Sequence, residues 1–413
     1  MTILSSAAVD ALKTQLDSAC SDPEKGLPGA SVAVIGKDGR QLFSHAAGQR
    51  GLRASETMDQ DTVFWIASCT KLITAIACMQ LVEQGRLSLD DPDSIERLCP
   101  ELKDVQVLRD DGTLEEKEDR ITLRMLLSHT AGFGYTFLQE KLIKYGRPIG
   151  FDEFSGNIAD FKQPLVHQPG KAWEYGVNID WVGKIIERTT NQSLNDYFHQ
   201  HIFEPLDLSH ISMIPTAEMK NKLAYMHRRD KTGHLSVCDH PLHRPLVFEE
   251  TDAKSFCHSG GAGCFSTPTD YCQILAVLLN DGTSPTTGKQ LLQKSTVDEM
   301  FRNQIEHLPS LTEKRFPDAK PELTNPSIGT YPTVEGDRQG WGLSFLISGG
   351  KTGRSLSTAH WTGLPNLFWW CDREQGVAGI VCTQILPFGD RHSFKLWTDV
   401  ETGVYKGIGR GKL

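Results

Sequence analysis

The chain has 413 residues, 39% hydrophobic and 23% charged, a composition that fits a soluble globular protein and excludes disordered and fibrous classes. Its 43 basic and 52 acidic residues leave a formal charge of −9, a field that repels phosphate backbones and anionic membranes, so neither nucleic acid nor a membrane is an expected partner. At roughly 150 residues per domain, the length predicts one large or two intimate domains with a sizeable core.

The amino-terminal 26 residues lack the basic and continuous apolar regions of a secretory leader and read as an amphipathic helix. No run approaches the roughly 18 to 20 apolar residues of a membrane span, so a cytoplasmic location is expected. The ten cysteines are scattered without a CxxC pair, which predicts reduced, buried thiols and no structural zinc.

Next comes GASVAVIGKDGRQLFSHAAG, two β-rich runs around a KDG turn, which predicts a hairpin. In the following segment Leu72, Ala75, Ile76, Met79 and Val82 recur at helical spacing until Gly85 and Pro92, with Ser68 where the helix begins. Residues 91–204 read as a mostly α-helical insertion, and 205–260 as exposed connections forming a rim or lid. A proline-containing loop over 305–340 precedes four strand-length segments, GWGLSFLIS, SLSTAHWTG, NLFWWCD and VAGIVCTQIL, and a helix from about 391. The expected fold is α+β. Residues 1–90 and 205–413 build an antiparallel sheet flanked by helices, 91–204 form an inserted helical domain, and the site lies between them.

Ser68-Cys69-Thr70-Lys71 places a hydroxyl and an amine on one helical face near a helix amino terminus, where the amine and the helix dipole can activate the serine. A tetrapeptide of this form occurs by chance in a chain of this length, and Ser348 to Lys351 repeats it within a glycine-rich turn that cannot hold the pair. Three later segments, WEYGVNIDWVGKIIERTT, SGGAGCFSTPTDY and AHWTGLPNLFWWCD, follow in order. With Ser68-x-x-Lys71 and ITLRMLLSHTAGFGY they resemble the serine β-lactamase-like superfamily of class C β-lactamases, penicillin-binding proteins, esterases and acyltransferases, over roughly residues 26–405. The resemblance implies a β-lactamase/transpeptidase-like fold, Ser68 as acylated nucleophile and Lys71 as its amine partner.

It also implies Tyr175 as proton acceptor and donor, with a pKa lowered from about 10 by the lysine charge. The family asparagine two places on is Val177 here, with Asn178 one position late. Trp361-Thr362-Gly363 matches the K/H/W-S/T-G strand motif in its tryptophan form, whereas Lys351-Thr352-Gly353 falls in a turn and is set aside. Backbone N–H groups of Ser68 and Leu364 then form the oxyanion hole. His360, Tyr135, Trp173 and His258 are expected at the substrate pocket, with Phe133 as a further wall candidate. Asp180 and Trp181 are expected to be structural.

Within the superfamily the chain is most similar to the fungal lovastatin-type side-chain acyltransferases, which transfer an α-methylbutyryl group from a thioester to a polyketide alcohol. The implied function is a serine acyltransferase of secondary metabolism. Its partners would be an ester or thioester donor, on a carrier protein in one version, and an alcohol acceptor, with no metal or organic cofactor. A carboxylesterase is the alternative, and a non-catalytic binding protein the third reading. Neither the acyl chain nor the oligomeric state follows from the sequence.

Overall fold

The computed structural model describes residues 2–247, 256–328 and 337–410. The parts of the 205–260 and 305–340 stretches at 248–255 and 329–336 lie outside the described residues. The KDG turn makes the expected hairpin, Gly29–Gly36 with Gln41–Gly48, and Gly29–Gly36 also pairs with Val377–Cys382 from the far end of the chain. Together they sit in a seven-stranded antiparallel sheet running 340–341, 346–347, 359–363, 367–372, 377–382, 29–36, 41–48. GWGLSFLIS is not one strand. It folds into two short ones, Gly340–Trp341 and Leu346–Ile347, because the backbone reverses at Ser344, whose φ of +84° is left-handed.

Helices cover both faces, and side-chain alternation along the strands shows which lies where. Phe368 stacks on Trp397 of the carboxyl-terminal helix Arg391–Gly407, with ring centroids 5.0 Å apart, while its neighbour Trp369 turns the other way toward Tyr271 of helix Pro268–Leu279. The amino-terminal helix Ser6–Ala19 packs on Arg391–Gly407. Helix Thr70–Glu83 has Thr70 to Leu81 buried without a break, so it is the central element. It lies against Asn178–Thr190, the best-formed helix of the 91–204 stretch, which also contains a small hairpin, Val107–Leu108 with Leu114–Glu115. Within 205–260 the chain forms short strands rather than plain connections. Ile211–Ser212 joins a three-stranded sheet with Phe64–Trp65 and Phe265–Ser266, and His227–Arg229 pairs with Ile385–Leu386.

All ten cysteines are unpaired. Among the described residues no helix is long and apolar enough to cross a membrane, and no cluster of His, Cys, Asp and Glu is placed to hold a metal ion.

Candidate active site

Ser68 is presented by a short helical turn, Ala67–Cys69, that feeds directly into helix Thr70–Glu83. Ala67 holds φ at +43°, a costly conformation for a residue with a Cβ, and the surroundings enforce it. The Ile66 N–H donates to Cys264 O (3.0 Å), the Cys264 N–H donates to Thr70 Oγ1 (2.9 Å), and Trp65 Nε1 donates to Ala262 O (2.7 Å). The SGGAGC segment therefore anchors the Ser68 turn from the opposite side.

Lys71 is fully buried, and its Nζ lies 3.0 Å from Ser68 Oγ, 3.1 Å from Tyr135 OH and 2.8 Å from Gly261 O. Burial disfavours the ammonium and brings the pKa down to about 7, against an opposing pull from the Asp180 carboxylate. A neutral amine has one lone pair and two N–H donors. Gly261 O can only accept, so the lone pair is left for one of the two hydroxyls, Ser68 or Tyr135, that contact Nζ and line the cavity. Tyr135 is held as a neutral phenol, its pKa well above the ordinary value because of burial.

Tyr175 places its ring 4.7 Å from Lys71 Nζ, and its hydroxyl accepts a hydrogen bond from Trp361 Nε1 (2.9 Å). Trp361 reaches it because residue 361 pairs with Trp369 and shares that inward face of the sheet. The motif's glycine has a steric reason: a Cβ on Gly363 would lie 2.6 Å from Ile66 O, so only glycine lets this strand approach the Ser68 turn. Gly176 is equally constrained, since a Cβ there would meet Phe133 O at 2.1 Å.

Asn178, one place late, does not face the site. Its buried amide donates to Phe133 O (3.2 Å) and lies 2.9 Å from His129 Nδ1, which fastens the 129–133 loop to the start of helix Asn178–Thr190. No asparagine therefore stands two residues after Tyr175 or in the cavity lining at that corner.

A cavity opens over Ser68. Of the expected residues, Ser68, Tyr135, Tyr175, Trp361, Thr362 and Leu364 line it, with Lys71 directly beneath Ser68. His360 does not. Strand alternation turns it to the opposite face, where its Nε2 lies 2.8 Å from Ser348 Oγ and burial keeps it neutral. Trp173 and His258 also lie outside the lining. Trp173 stacks behind Tyr175 (6.2 Å, 13°), and His258 is buried against Phe256. Phe133 packs on Trp181 instead. Cys69, beside Ser68, is buried with its thiol pKa pushed up by desolvation.

Sequence reading missed three things. Asp180 is more than a helix-start residue: its Oδ1 accepts Ser259 Oγ (2.6 Å) and the Gly261 N–H (3.0 Å), and its charge bears on Lys71. Its place in the first turn after Tyr175 was the available signal. Tyr135 contacts Lys71 itself, beyond lining the pocket. The remaining lining comes from Ala67 and Ala262, from Phe137 and Leu138 of the short 3-10 turn Thr136–Leu138, and from the loop residues Phe154, Thr324, Asn325 and Phe388, with no periodicity to mark them.

An antiparallel sheet sheathed by helices, with a serine and a desolvated lysine one turn apart at the foot of a buried helix, defines the serine β-lactamase/transpeptidase-like fold. The chain belongs to the Beta-lactamase family, whose model matches residues 9–402. It is 31% identical over 406 residues to the monacolin J acid methylbutanoyltransferase of Aspergillus terreus, covering 93% of each chain. It is 32% identical over 383 residues to the lovastatin esterase of Penicillium rubens, covering 87% of this chain and 89% of that one. Among solved structures it superposes on the LovD6 mutant of simvastatin synthase from Aspergillus terreus with a TM-score of 0.80, 29% identity and 98% coverage of both chains. The protein is thus an enzyme of the serine acyltransferase and hydrolase type.

Proposed function

We propose that the protein moves an acyl group from a thioester or ester donor to an alcohol of a secondary metabolite, through an acyl-Ser68 intermediate. The observation that carries this reading is the 3.0 Å contact between Ser68 Oγ and a buried Lys71 whose pKa is near 7, at the floor of a largely apolar cavity. Ser68 gives its proton to the Lys71–Tyr175 pair as Oγ bonds to the donor carbonyl carbon. The N–H groups of Ser68 and Leu364 hold the oxyanion, the bond to sulfur or oxygen breaks, and the pair returns the proton to the leaving group. An alcohol then repeats the sequence in reverse. Lys71 and Tyr175 share this proton, so the pair titrates as a unit.

Aromatic and aliphatic side chains dominate the lining, and among the described residues no cationic side chain belongs to it. A neutral acyl group is desolvated there at little cost, whereas a carboxylate would find no cationic partner among the described lining residues. The same apolar surface disfavours a resident water, which supports an alcohol as acceptor. A carrier-protein donor and a cytoplasmic setting complete the proposal. The test is intact-mass spectrometry after exposure to short-chain acyl thioesters with and without polyketide alcohols. An adduct discharged faster by alcohol than by water supports transfer, discharge by water alone makes the enzyme an esterase, and no adduct refutes the acyl-serine.

Two smaller effects follow from the geometry. Trp361→Phe removes the only N–H donated by that side chain and is expected to lower kcat about tenfold with KM for the donor little changed, a typical cost for one hydrogen bond to a reacting group. Asp180→Asn keeps an oxygen for Ser259 and Gly261 but loses the charge that raises the Lys71 pKa, so the acid limb of the kcat/KM profile should move to lower pH. An unmoved limb would show that Asp180 does not act on Lys71.

A further inference from the structure

Glu153 is a buried carboxylate that the chemistry above does not use. Its Oε1 accepts the Thr136 N–H (2.6 Å) and Gln163 Nε2 (3.3 Å), its Oε2 accepts Thr136 Oγ1 (3.0 Å), and Lys320 Nζ approaches Oε2 to 4.0 Å. Burying such a group is costly, and apolar packing would hold a fold more cheaply. What distinguishes Glu153 is what its partners carry. Thr136 lies in the turn that brings Tyr135, Phe137 and Leu138 to the cavity, Phe154 is its chain neighbour, and Lys320 begins the segment that supplies Thr324 and Asn325. Lys320 also donates to Phe151 O (3.3 Å), and Thr324 Oγ1 to Phe137 O (3.3 Å), so the three segments meet at this carboxylate. None of the three carries its lining residues on a sheet strand or a long helix, so side-chain bonds set their spacing.

We propose that Glu153 is a positioning residue for acyl selectivity: through Thr136 and Lys320 it fixes the separation of the cavity walls and so grades acyl groups by length before Ser68 is acylated. This rests on the acyl-serine reading of the site. The stacked series Tyr135–Phe137 (4.7 Å) and Phe137–Phe154 (6.3 Å) makes the wall stiff enough to exclude rather than deform.

The experiment compares kcat/KM for p-nitrophenyl butyrate and p-nitrophenyl octanoate in wild type, Glu153→Ala, Glu153→Gln and Lys320→Met, with thermal unfolding as a check on folding. Glu153→Ala should lower the butyrate-to-octanoate ratio about tenfold, and Glu153→Gln and Lys320→Met about threefold each, the scale of one or two methylenes in an apolar pocket. The change should lie in KM for octanoate rather than in kcat, which a general loss of folding would not produce. An unchanged ratio in the folded variants, or equal losses for both esters, would overturn the proposal. Should Glu153→Ala not fold, Lys320→Met decides, because its side chain is partly exposed and leaves the Thr136 bonds intact. Turnover of both esters unchanged in Ser68→Ala would instead refute the acyl-serine and this inference with it.

Discussion

Ser68→Ala is expected to take up no acyl group from any thioester or activated ester, and to turn over at least about 10⁴-fold more slowly than wild type. The magnitude follows from the role. Removing the nucleophile of a covalent mechanism removes the reaction path, and what remains is binding and oxyanion stabilisation acting on water. The Ser68 hydroxyl contacts Lys71 Nζ, which keeps Tyr135 and Gly261 O as partners, so the melting temperature should change little. Intact-mass spectra of both proteins check the first statement and calorimetry the second. An adduct on the alanine variant would move the nucleophile elsewhere.

Lys71→Met is expected to slow acylation by about 10³-fold, the range of a lost general base. Wild-type acylation should rise with pH and level off above about 7, since only the neutral amine accepts the Ser68 proton. Stability carries the same signature. In the unfolded chain Lys71 regains its ordinary value of 10.5, so between about pH 7 and 10.5 the unfolded state binds more protons than the folded one. Wild-type stability therefore increases with pH through that window from this group. The methionine variant, similar in volume and without a charge to desolvate, lacks that increment and should be the more stable protein at pH 7. Urea midpoints at pH 7 and pH 9.5 for both proteins read it directly. Equal pH slopes would mean that Lys71 keeps an ordinary pKa.

The residues that chemistry needs close together in the chain were legible in it. Ser68 and Lys71 stand one helical turn apart, and the 3.6-residue period of Leu72, Ala75, Ile76 and Met79 places that turn at the start of a helix. Choosing Trp361-Thr362-Gly363 over Lys351-Thr352-Gly353 needed the turn chemistry of GGKTGR and the family's placement of its motif on the strand before NLFWWCD, and Gly353 at φ +112° lies in that turn. His360 was misplaced for a related reason. In a strand, adjacent residues face opposite sides, and the sequence places both on the strand without saying which side holds the site.

By itself, then, the sequence determined the helix that carries the nucleophile and its amine, the hairpin and meander of the sheet, and the ordered motifs of the family. Only the tertiary structure decided what those groups become. Lys71 is brought near pH 7 by burial, and Asp180, Tyr135 and Gly261 reach it from positions far along the chain. Desolvation depends on everything packed around a group, and no local pattern records it. The walls of the cavity follow the same rule: Phe137 sits in a short turn and Phe154, Thr324 and Phe388 in loops, where no period marks a face and side-chain bonds such as those of Glu153 set the spacing.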